Sequence, residues 1–118
     1  MRRDEFLDEV CVRAALETRA EAELAVRATL ETLGAYLPDP IADNLAALLP
    51  RDIGDCLRSE NSPSGAFVDE MSRRSGAPPD RAEALATVVL GVVDDATDGA
   101  ARAHLLTGVP GLPGMGSD

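Results

Sequence analysis

The sequence predicts an all-α fold, a compact helical bundle of about six helices built from two pseudo-symmetric three-helix repeats. Three observations carry the prediction. The stretch Phe6-Leu7-Asp8-Glu9-Val10 returns as Phe67-Val68-Asp69-Glu70-Met71. The echo continues: Ala22, Ala25, Leu30 and Leu33 recur as Ala82, Leu85, Leu90 and Val93, and Ile41, Leu45, Leu49 and Pro50 recur as Ala101, Leu105, Val109 and Pro110, with one residue dropped between blocks. Apolar residues fall at helical spacing almost throughout, so each half reads as one supersecondary unit that needs the other to cover its apolar face. The chain is expected to be a single domain over 1–118, with a first repeat over 3–58, a joint over 59–64, a second repeat over 65–110 and a flexible tail over 111–118.

The first helix runs from about Asp4 to Ala14, with Phe6, Leu7 and Val10 inward and Asp4 and Glu5 in the first turn, where the macrodipole favours acids. Thr18-Arg19-Ala20-Glu21 is a capping box, in which hydroxyl and carboxylate each satisfy an orphan backbone donor. The second helix follows to Tyr36, burying Ala22, Ala25, Val26, Thr29, Leu30 and Leu33. Asp39 is placed to cap a third helix with Pro40 in its first position, carrying Ile41, Leu45, Leu48 and Leu49 to Pro50. A short turn through Ile53 and Leu57 leads to the polar joint.

The second half repeats the plan. A fourth helix spans about Pro63 to Ser75 and stops at Gly76, which takes a left-handed conformation at little cost. Pro78-Pro79 opens a fifth helix to about Ala96. Its run Val88-Val89-Leu90-Gly91-Val92-Val93 is apolar on most of its surface, so this helix is expected to be central or to sit at an interface. A strand is the competing reading, since β-branched residues favour sheets; no partner strand is visible. A sixth helix is expected from Asp98 to Leu106, and the tail from Thr107, with four Gly and two Pro in twelve residues, cannot be helical.

At the two Phe-(Leu/Val)-Asp-Glu blocks, each followed by an Ala-rich helix and a Leu-rich helix ending in Leu49-Pro50 or Val109-Pro110, the chain resembles the family called domain of unknown function 2267. The resemblance covers about residues 3–110 and implies a small, acidic, all-helical architecture of two halves. It brings no catalytic or binding residues. The chain departs from the family pattern after Pro110, where Gly111-Leu112-Pro113-Gly114 replaces a short amphipathic helix.

Composition excludes several functions. The net charge is −10, and all eleven cationic residues are Arg. Such a chain repels phosphate backbones, so no nucleic-acid partner is expected. With no Trp, one Tyr and two Phe, stacking surfaces for bases or sugars are scarce. The longest apolar stretch is too short to span a bilayer, so no membrane insertion is expected. Met1-Arg2-Arg3 leads into Asp4-Glu5 and not into an apolar run, which points to a cytoplasmic protein with Cys11 and Cys56 reduced.

Chemistry-bearing constellations are weak. Asp8, Glu9, Asp69 and Glu70 could converge across a pseudo-twofold, but neither block has the His that helical carboxylate sites carry at three-residue spacing; they read as solvated helix faces. Asp94, Asp95 and Asp98 lack the spacing of a calcium loop. His104 could pair with Cys11 or Cys56, yet no oxyanion-hole signature accompanies either thiol. Both read as small hydrophobes, and the pairs Arg2-Arg3 and Arg73-Arg74 as exposed salt-bridge partners. No catalytic residue, metal or cofactor is predicted. The expected function is therefore a non-enzymatic interaction module, binding another protein or itself, possible as a homodimer, through the fifth helix at Leu85, Val88, Val89 and Val92 or through the groove between the halves. The alternative is a carrier or sensor of a small apolar ligand held between the repeats.

Overall fold

Local capping sets the helix limits. In a computed structural model, described over residues 2–37, 39–58 and 67–99, α1 spans Arg3–Ala14 and α2 Arg19–Tyr36. Helix α1 ends in a Schellman stop: Ala15 is left-handed at φ 55°, its N–H donates to Val12 O at 3.3 Å, and the Leu16 N–H donates to Cys11 O at 2.9 Å. The capping box then opens α2 as expected, with Glu21 N–H donating to Thr18 Oγ1 at 3.2 Å and Thr18 N–H donating to Glu21 Oε1 at 3.1 Å. Inside α2, the buried hydroxyls of Thr29 and Thr32 donate one turn back to Ala25 O and Ala28 O, at 2.7 and 2.6 Å. Neither buried hydroxyl is left without an acceptor.

Helix α3 spans Asp39–Leu48 and α4 Arg51–Gly54, running into a 3-10 turn over Asp55–Leu57. Asp39 and Pro40 are thus its first two helical residues rather than cap and first residue, a one-residue displacement of the expected start. The connection is tight. At Gly34 an added Cβ would collide with the Leu57 carbonyl, and at Gly54 with the Ala46 carbonyl, so glycine is required at both close approaches.

Helix α5 spans Phe67–Ser75 and α6 Pro79–Ala96. Gly76, at φ +73°, stops α5, and Pro79 occupies the first turn of α6, where its missing N–H has no helical partner to lose. The run Val88–Val93 is helix, and the described residues contain no strand. The expected start of the fourth helix at Pro63, the helix body beyond Gly99, His104 and the tail lie outside the described residues. Asp98 and Gly99 are described, and both have positive φ, 53° and 84°, so the stretch just after α6 begins as a left-handed turn.

The packing is reciprocal. Helix α1 lies against α2 and α6, while α5 lies against α6 and α2. Phe6 and Phe67, the aromatic residues of the two echoed blocks, are both fully buried, and the Tyr36 ring sits 6.1 Å from that of Phe67. Around them Leu7, Leu30, Leu33, Met71, Val89 and Leu90 complete an aliphatic core. Among the described residues no helix is long and apolar enough to cross a membrane.

Candidate functional site

The residues singled out on α6 point into the protein. Val89 and Val92 are fully buried and Leu85 is 8% exposed, with Val88 half-buried. The apolar surface of this helix is central, as one arm of the sequence argument expects. Only Val88 and the edge of Leu85 remain within reach of a partner.

The four carboxylates of the echoed blocks do not converge. Asp8 accepts from Arg19 at 2.7 Å, Glu9 pairs with Arg13 at 3.3 Å, and Asp69 faces solvent. Glu70 departs from the expected solvated face. Its side chain is 6% exposed, held by Arg73 and by Arg74 Nε at 3.4 Å, and Arg74 also reaches Glu31 on α2 at 3.6 Å. Burial of that carboxylate is tolerated because two guanidiniums come with it, so the pair Arg73-Arg74 is not simply exposed either: Arg74 is 19% exposed. Burial, followed by the charges of Glu70 and Asp69, pushes the Tyr36 hydroxyl above its ordinary range.

Both thiols are tied to backbone carbonyls. Cys11 Sγ donates to Thr18 O at 3.5 Å and Cys56 Sγ to Asp52 O at 3.7 Å. Burial raises the Cys56 pKa, outweighing the opposing hydrogen bond from Arg27, and a thiol held protonated is a poor nucleophile. Asp95 is occupied by Arg13 at 2.5 Å, and the described residues offer no group of ligands able to hold a metal.

What remains is a groove. The two helix corners, one stopped at Ala15 and the other at Gly76, bring Leu16 and Ala77 to a common mouth. The first two turns of α2 and α6 form the walls. Leu24 and Ala25 stand on one side and Leu85 on the other, with Glu21 and Arg81 on the rim, enclosing about 130 Å³. Leu24 is 53% exposed. Among the described residues the other large exposed hydrophobic side chains are Val12, which stands among Glu5, Asp8 and Glu9, and Leu48. A second cavity, of about 70 Å³, lies between the charged Arg3, Glu23, Arg27 and Asp52 and the uncharged Leu7, Val26, Ile53 and Cys56.

Of the sequence-predicted site residues the groove contains Leu85. The signal for Leu24 was present in the sequence: it falls out of register with the buried stripe Ala22, Ala25, Val26, so a leucine there must face outward. Leu16 and Ala77 carried no such signal, because their meeting depends on two corners about sixty residues apart.

A profile of the family DUF2267, described as an uncharacterized conserved protein, matches residues 3–112. The chain belongs to that family. No curated protein and no solved structure matches it. For this DUF2267 chain the groove is therefore read from its own chemistry: aliphatic walls, one acid, one base, and an exposed leucine beside them.

Proposed function

We propose that the chain is a non-enzymatic helical interaction module, whose groove between the corners of α2 and α6 seats an aliphatic side chain of a polypeptide. The observation that supports this reading is Leu24, half exposed beside the apolar walls made by Leu16 and Leu85. An exposed leucine alone is unremarkable; one bordering an apolar concavity marks a place where a partner removes apolar area from water. The carrier reading is weaker, because the apolar groove of about 130 Å³ falls short of the ~300 Å³ at which small-molecule pockets begin, and the larger concavities, about 470 Å³ beside Glu5, Asp8, Glu9 and Arg13 and about 320 Å³ beside Arg51, Asp55 and Arg58, are open and charged.

The same reading makes the two halves copies of one unit, each shielding the other. Support comes from two similar ion triads, Glu9–Arg13–Asp95 and Glu70–Arg74–Glu31, in each of which a short helix reaches the long helix of the other half, the two acceptors standing about one turn apart in the echo. It also places the module in a reducing interior, in keeping with two unpaired thiols.

Native mass spectrometry of the full chain, purified gently from its own host, tests the reading. A multiple of the chain mass, or the chain with a second polypeptide, supports it when Leu24→Asp releases the complex. A chain carrying a few hundred daltons of non-covalent mass, about the size of a pocket-bound small molecule, replaces it with the carrier.

A further inference from the structure

We infer, resting on the reading of the groove as a docking site for polypeptide, that its occupant is Leu24 of a second copy of this chain. A twofold pair uses one patch on both partners, so the patch must contain both a knob and the hole that takes it. This one does. Leu24 protrudes from one rim, and beside it Leu16, Ala25 and Leu85 line a concavity of about 130 Å³, room for one aliphatic side chain.

The rim charges obey the same rule. Glu21 stands on the α2 wall and Arg81 on the α6 wall. Among the described residues Arg81 forms no ion pair. Two copies related by a twofold through the groove set each Glu21 against the other's Arg81. A patch bearing one acid and one base is complementary to itself; a uniformly acidic rim would be complementary only to a cationic partner.

The whole chain carries −10, and two such chains repel at long range. Salt screens that repulsion, with a Debye length of about 10 Å at 0.1 M, and weakens the two rim pairs as well, but the net charge of each chain outweighs its two rim charges and the packed leucines are little affected. The dimer therefore tightens as salt is added. A complex with a cationic polypeptide would loosen.

Sedimentation velocity on the full chain, from about 5 to about 500 µM, the range in which small interfaces dissociate, tests the inference. The expected result is a mass rising from 12.3 kDa toward twice that value, with several-fold tighter association on raising NaCl from about 0.05 to about 0.3 M. Leu24→Asp should stay monomeric with unchanged circular dichroism. Arg81→Glu should weaken the dimer about tenfold by placing like charges together, and adding Glu21→Gln, which keeps the capping box, should recover most of the loss. A wild-type chain that is monomeric at the highest concentration overturns the second-copy inference. It leaves the groove reading standing if another polypeptide is bound and is released by Leu24→Asp. A dimer indifferent to Leu24→Asp overturns the second-copy inference, and the groove reading with it when no other polypeptide is released by Leu24→Asp.

Discussion

Arg13 at the end of α1 donates to Asp95 near the end of α6, Nη2 to Oδ2 at 2.5 Å, and Arg74 near the end of α5 makes the corresponding crossing to Glu31 on α2. The two crossings differ in depth. Arg13 and Asp95 are 38% and 53% exposed, whereas Arg74 joins Glu31 to a glutamate that is 6% exposed. Exposed pairs contribute about 0–1 kcal/mol, and stripping one partner from a buried charge costs more because the remaining charge is stranded. Arg13→Ala should therefore lower stability by no more than about 1 kcal/mol. Arg74→Ala should lower it by about 2–3 kcal/mol, below the ~3–5 kcal/mol of a fully stranded charge because Arg73 stays with Glu70. Urea melts of both variants check this, and equal losses would show that burial of Glu70 is not what sets the difference.

The corners that form the groove mouth hold a second contrast. Ala15 is left-handed with a Cβ, and Gly76 is left-handed without one. An L side chain in that region costs roughly 1–2 kcal/mol in backbone strain, partly offset because glycine loses more entropy on folding. Ala15→Gly should raise stability by about 0.5–1 kcal/mol, and Gly76→Ala should lower it by about 1 kcal/mol. Thermal melts decide. A destabilised Ala15→Gly would mean that Ala15 does not close α1 in this conformation.

The glycine stop at Gly76, the Thr18–Glu21 box and the Pro79 start were legible because each is settled by residues a few positions apart. The helix centre at Val88–Val93 was legible because an all-round apolar helix has few places to go. Glu70 was not legible. Glu9 and Glu70 stand at matching places in two echoed blocks, each with an Arg four residues on, yet the first is 42% exposed and the second 6%. The second lies beside Arg73, and its Arg74 is met by Glu31 from another helix, a tertiary circumstance that no local pattern records. The groove was half legible: Leu24 announces itself by register, while its lining is assembled from corners distant in the chain.

Cys56 supplies a pH prediction. Its thiol sits above the ordinary value of 9.0 because burial disfavours the thiolate, so the folded chain holds this proton more tightly than the unfolded chain. The associated stability is complete below the ordinary thiol value and is lost as pH rises through the folded one; Tyr36, raised from 10.0 by burial, acts in the same sense at still higher pH. Alkylation of Cys56 at about pH 8, where an ordinary thiol is partly ionised, should be slower in the folded chain than in urea, with its rate profile displaced to higher pH. Peptide mapping of the modified cysteine reads this out, and equal rates in the two states would refute it.

Val89 and Leu24 separate core from surface most sharply. Both are aliphatic residues on long helices, but Val89 has no exposed area and Leu24 is 53% exposed. Aspartate at position 89 would bury a charge within the aliphatic core with no partner built for it, a change that costs several kcal/mol, a large share of the ~5–15 kcal/mol that holds a domain together. Aspartate at position 24 meets water, where the expected change is within about 0.5 kcal/mol. Circular dichroism melts should thus show Val89→Asp unfolded or nearly so and Leu24→Asp cooperative with an almost unchanged midpoint. A folded, cooperative Val89→Asp would place α6 on the outside of the bundle and make its valines, rather than the groove at Leu24, the surface that meets a partner.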